Sequence, residues 1–131
     1  GWTRDLGLAR SSAALDPWSE RSASMVWDVL GDRTDCVLWN AFPWHPFQAG
    51  DPLSNRRPGS DLEDGLEVLR CLLSIFPAAE AYAVGRVAEG ALRRIGVDAP
   101  YIRHPSHGGK RKFQAGVRGL TSDCSASQCV L

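Results

Sequence analysis

The most regular pattern in the chain is the run SDLEDGLEVLRCLLSIF, where Leu62, Leu66, Leu69, Leu73 and Phe76 return at three- and four-residue intervals among polar positions. That spacing predicts an amphipathic helix. Ser60 and Glu63 stand as a capping-box pair at its start, Asp61, Glu63, Asp64 and Glu67 suit the positive end of the helix dipole, and Pro77 stops it. A second helical pattern opens at Gly85, runs through Ala88, Leu92 and Ile95, and ends at Gly96. A basic one spans Gly109 to Leu120, and SASMVWDVL predicts another ahead of them all. Between these lie short apolar runs, CVLWN, AYAV and YIR, of the kind that become strands covered by helices. A loop rich in Pro, Gly and Asn, residues 41–59, follows the first of them.

Alternation of short apolar runs with helical patterns predicts an α/β fold, a three-layer parallel sheet with crossover helices on both faces. Residues 1–20 read as an irregular arm, 21–120 as the α/β domain, and the Ser-rich residues 121–131 as a disordered tail. Open parallel sheets bind ligands outside the carboxyl ends of their strands, and right-handed crossovers keep those ends on one edge. Asn40 ends the first strand, Gly85 follows the second and His104 follows the third. A carboxamide, a close-approach backbone and an imidazole are therefore expected at one crevice.

With 131 residues and 44% hydrophobic content, the chain supports one core and one domain. Fifteen basic residues balance fifteen acidic ones, so overall charge points to no partner. Its distribution does. Arg103, Lys110, Arg111, Lys112 and Arg118 fall within residues 101–120 with no acid among them, and Arg56 and Arg57 precede the acidic helix. A solvated helix surface is the plain reading of such a run. Gly108 and Gly109 at the start of the basic helix add backbone N–H groups able to reach an anion, which favours a phosphate backbone. Phe42, Trp44 and Phe47, interleaved with Pro43, His45 and Pro46, serve either as core or as a rigid wall for a planar ligand. No apolar run approaches the roughly 20 residues of a membrane span and no signal-peptide pattern opens the chain, so a soluble intracellular protein with no membrane partner is expected. Cys36 and Cys71 read as small buried hydrophobes, and Cys124 and Cys129 as part of the tail. Cys129 stands third from the end, so the tail is no prenylation signal.

Four motifs, LWNAFPWHP, SNRRP ahead of the acidic helix, AVGRVAEGAL and RHPSHGG, occur in that order over residues 16–120. Together they resemble the uracil-DNA glycosylase superfamily, most closely its bacterial members. The resemblance implies that Asn40 is the residue that reads uracil. Its amide accepts from N3–H and donates to O4, whereas cytosine presents the reverse pattern, and a site built for the first discriminates by roughly 10⁴-fold. His104 matches the histidine of the HPS loop, which stabilises the departing uracil anion; a preorganised donor there is worth on the order of 3 kcal/mol. Phe42 and Gly85 are implied at the base. Pro105, Ser106, His107, Gly108 and Gly109, with Lys110, Arg111, Lys112, Arg56 and Arg57, are implied to hold DNA around a flipped nucleotide.

The family's first motif, a loop after an earlier strand that positions the attacking water, has no counterpart in this sequence. The resemblance thus implies an N-terminally truncated, C-terminal portion of a glycosylase, with little or no excision expected from this chain alone. It further implies DNA containing uracil or another deaminated base as partner, no cofactor or metal, a monomer, and a bacterial cytoplasmic location at the nucleoid. Two other readings stay open. One is a non-catalytic nucleic-acid-binding remnant of the same fold; the other is a zinc hydrolase using His45, His104 and His107.

Overall fold

The computed structural model describes residues 15, 21–31, 33–54, 56–123 and 129–130. Helix α1 (Arg21–Leu30) leads into β1 (Cys36–Val37), and the long loop after it into α2 (Leu62–Ile75). Then come β2 (Glu80–Ala81), β3 (Ala83–Val84), α3 (Arg86–Arg94), β4 (Tyr101–Ile102), α4 (Lys110–Asp123) and β5 (Cys129–Val130). Every strand pair is parallel, in two small sheets ordered β1-β5-β2 and β3-β4. The fold is α/β, but the three longer strands expected in one sheet are replaced by five two-residue strands in two.

The two sheets meet in the segment 80–84, which contains both β2 and β3. Tyr82 N–H donates to Val130 O at 2.8 Å on one flank, and Ala83 N–H donates to Pro100 O at 2.9 Å on the other. The lateral order is therefore β1, β5, segment 80–84, β4. Side chains of this segment alternate between two cores, as a period of two requires. Ala83, with Ala81 beside it, packs among Leu62, Leu66 and Leu69 of α2 and Ala91 and Leu92 of α3. Tyr82, with Val84, packs among Leu30 of α1, Ile102, Phe113 and Val117 of α4, and Cys129. Burial of each of the three α2 leucines contributes about 1.5–3 kcal/mol, which is why the leucine spacing dominates the sequence pattern.

Helix α3 ends as its sequence predicts. Gly96 N–H donates to Arg93 O at 3.0 Å and Val97 N–H to Leu92 O at 2.9 Å, the two bonds of a Schellman cap. The start of α2 does not follow the capping-box expectation. Its N-cap is Asp61, and no side chain caps it. The Asp61 carboxylate instead accepts from Gly59 N–H at 2.7 Å and from Arg56 at 2.6 Å, a stronger, charge-assisted use of that group.

The expectation of a disordered tail over 121–131 fails for its described part. Helix α4 continues through Asp123, and Cys129–Val130 pairs on both sides as the middle strand of its sheet. Two apolar residues suffice there because both flanks are already strand. Cys71 is exposed, not buried: two residues beyond Leu69, it falls on the far side of α2. The arm 1–20, apart from residue 15, and Cys124 lie outside the described residues. No described helix is long and apolar enough to cross a membrane.

Candidate functional site

His104 lies two residues beyond β4, in the loop RHPSHGG that joins this strand to α4. The loop is built around its imidazole. Ser106 N–H donates to Nδ1 at 3.2 Å, and the Ser106 hydroxyl lies 2.7 Å from the same nitrogen. An amide N–H can only donate, so Nδ1 is an acceptor and the ring proton sits on Nε2. Arg103 donates to the His104 carbonyl at 3.2 Å. Pro105 is fully buried and sets the bend between the two partners.

Two glycines make room for this arrangement. Gly85, between β3 and α3, has φ 90° and ψ 169°, a backbone region open essentially to glycine alone. A Cβ there would stand 3.1 Å from His104 Cβ. Gly109 presses on the other side: a Cβ there would overlap the His104 carbonyl oxygen and lie 3.0 Å from Ser106 O. Gly109 is buried, its N–H donates to Ser106 O at 3.1 Å, and its carbonyl accepts from Phe113 N–H at 2.9 Å. The amide expected to reach an anion therefore closes the loop-to-helix turn instead. Ser106 and Pro105, expected on a DNA backbone, likewise serve the imidazole and the core. His107 (φ 51°) and Gly108 (φ 72°) form the exposed tip of the loop.

Asn40 is not among the residues that hold this loop. Val37, Val130 and Ala81 share one level of the β1-β5-β2 sheet, and Val84 pairs with Ile102. Asn40 lies three residues beyond Val37, in the loop that follows β1. β5 and segment 80–84 lie between β1 and β4, so the strand before Asn40 and the strand before His104 are three strand spacings apart, about 14 Å. Asn40 is exposed. Of the residues expected to converge, the structure brings Gly85 and His104 together, while Asn40 follows β1, at the other end of the strand order from β4.

Phe42 belongs to a third feature. It meets Trp44 edge-on at 5.3 Å between ring centroids, and His45 stacks with Phe47 at 6.2 Å. These rings line an open cleft of about 650 Å³ together with Arg56 and Asp61, and neither Asn40, Gly85 nor His104 reaches it. The loop is held to α2 by close approach: a Cβ on Gly65 would stand 3.1 Å from Ala41 O and 3.3 Å from the Phe42 ring. Gly65 carried no signal in the sequence beyond being a glycine inside a helical pattern.

The cations divide by what holds them. Arg56 donates to Phe47 O at 2.9 Å, to Arg57 O at 3.1 Å and to both oxygens of Asp61, so its guanidinium ties the aromatic loop to the start of α2. The hydrogen bond from Arg56, aided by Gly59 N–H, holds the Asp61 carboxyl below the usual carboxylate range, and Asp61 raises Arg56 in return. Lys110 pairs with Asp28 of α1 at 2.9 Å. Arg57, Arg111 and Lys112 are exposed and form no ion pair with a described residue. Arg86, just past Gly85, lies over the Tyr101 ring at 4.4 Å and bonds Glu89 at 2.6 Å. His45, His104 and His107 do not assemble: among the described residues no three His, Cys, Asp or Glu side chains form a metal site. Comparison of the chain with known proteins finds no matching family model, no matching curated protein and no matching solved structure.

Proposed function

We propose that the chain carries the base-recognition and leaving-group side of a uracil-DNA glycosylase-type site, on a three-layer α/β frame of that kind, acting on DNA that contains uracil or a related deaminated base. The observation that carries this reading is the locked His104 ring: Ser106 fixes Nδ1 as an acceptor, which leaves the ring proton on Nε2. In the proposed reaction the C1′–N1 bond breaks, its electron pair moves onto the pyrimidine, water adds at C1′ and loses a proton to solvent, and His104 donates to the oxygen where negative charge develops. A donor held before the reaction starts needs no reorganisation as that charge appears. Asn40 reads the opposite edge of the base. Arg111 and Lys112, exposed at the start of α4, meet the phosphates beside the flipped nucleotide.

A second reading, nucleic-acid binding without chemistry, is favoured by the same exposed cations, which need only a phosphate backbone. Single-turnover excision on a uracil-containing oligonucleotide separates the two. Under the first reading, His104→Ala lowers the rate by about 10² to 10³ while the dissociation constant barely changes, and His107→Ala acts mainly on affinity. Salt-dependent binding that is equally tight on uracil-containing and uracil-free oligonucleotides supports the second. A rate defect larger for His107→Ala than for His104→Ala removes His104 from the role given to it.

A further inference from the structure

Cys36 and Cys129 are register partners in the parallel pair β1-β5, and both thiols are free. Neighbouring parallel strands lie about 4.8 Å apart, inside the 4.4–6.8 Å range of Cα separations that a disulfide spans. Partners in register project to one face, and both cysteines pack in the same cluster with Leu30, Tyr82 and Phe113. Their environments differ. Cys36 is half-buried, whereas Cys129 is 4% exposed. Burial, with a hydrogen bond to Cys36, pushes the Cys129 thiol up to about 12, which makes it a poor first nucleophile.

We infer that Cys36 and Cys129 are a dithiol modification site, oxidised by low-molecular-weight disulfides such as glutathione disulfide to a bond that clips β5 to β1. The Cys36 thiolate attacks one sulfur of glutathione disulfide, forming a mixed disulfide and releasing one glutathione thiolate. Cys129 then gives up its proton and displaces the second glutathione thiolate from Cys36. Two protein thiols are oxidised to one disulfide, and one glutathione disulfide is reduced to two glutathiones. The product closes the chain from residue 36 to 129 and fixes the central strand of the β1-β5-β2 sheet, between Asn40's strand and the segment leading to Gly85. The inference stands apart from the glycosylase reading, since it uses no substrate.

The test is incubation of the whole chain with glutathione disulfide, alkylation of the remaining thiols, and peptide mapping without reduction. Expected are a loss of two of the four thiols, a linked pair of peptides carrying Cys36 and Cys129, and a melting temperature raised by roughly 10 °C. Dithiothreitol reverses all three. Cys36→Ala, at the half-buried position, abolishes the linkage and the shift, whereas Cys71→Ala leaves both. Full alkylation of Cys36 and Cys129 after oxidation, a bond from Cys36 to Cys71 or Cys124, or a disulfide-linked dimer overturns the inference.

Discussion

Replacing Gly109 by alanine tests the geometry on which the His104 loop depends. The added methyl would overlap the His104 carbonyl oxygen and crowd Ser106 O, both backbone atoms that cannot swing aside as a flexible side chain would. Relief requires the turn to open. That weakens the Gly109 N–H to Ser106 O bond, worth about 1 kcal/mol, and strains Phe113, which is 1% exposed and hydrogen-bonded to Gly109 O. Overpacking at such a site adds about 1–3 kcal/mol, so the total loss is about 2–4 kcal/mol. Gly119 is the control. It lies within α4, exposed, with nothing within 4 Å of its Cβ position, and alanine there stabilises by about 1 kcal/mol through helix propensity. In urea unfolding with an m-value of about 1.5 kcal/mol/M, the Gly109→Ala midpoint falls by roughly 1.3–2.7 M and the Gly119→Ala midpoint rises. A Gly109→Ala midpoint equal to or above that of the unaltered chain would refute the close approach of α4 to the loop. So would equal destabilisation by both substitutions.

Three further outcomes are expected. Replacing Lys110, Arg111 and Lys112 together by glutamine flattens the slope of log affinity against log salt by about 2–3, with Lys110 contributing least because Asp28 holds it; an unchanged slope moves the DNA face elsewhere. Asn40→Asp replaces an amide donor by an acceptor, so uracil excision falls by about 10²-fold or more while DNA affinity holds; equal loss of both assigns Asn40 to structure. Because the folded-state pKa of Asp61 is depressed, its contribution to stability is present above the unfolded value of about 3.9 and is lost as pH falls through the lower folded value. Asp61→Asn therefore reduces the loss of stability between pH 5 and pH 3, and a urea titration showing the same acid limb in both proteins contradicts that.

The helices were legible because α2, α3 and α4 bury one face each, and that repeat is written in Leu62, Leu66 and Leu69 or in Ala91 and Leu92. Strand positions were legible too, but not their lengths. Only two residues of CVLWN and two of YIR find ladder partners, and AYAV divides its three paired residues between β5 and β4. Cys129–Val130 was missed because Ser-rich surroundings masked a two-residue apolar stretch whose role comes wholly from its neighbours. At the site, His104 and Gly85 could be found from their places after strands. Arg56 could not: its charge suggested a ligand, while its four hydrogen bonds are internal. The roles of Gly109 and Ser106 depend on where the turn puts the imidazole, and spacing along the chain does not encode that.

The place of β5 has a consequence for synthesis. β1 is the first described strand to be made, and its ladder partner is made 93 residues later. At translation rates of about 5–20 residues per second, β1 waits roughly 5–20 s before its partner exists. Until then the amides and carbonyls of Cys36 and Val37 have no ladder to join, and an unpaired strand edge is a template for other chains. Segment 80–84 can pair with β4 some tens of residues earlier. The nascent chain thus passes through a state in which one half of the strand layer is assembled and the other is an open slot, and crowding on a polysome favours its being filled by the wrong chain.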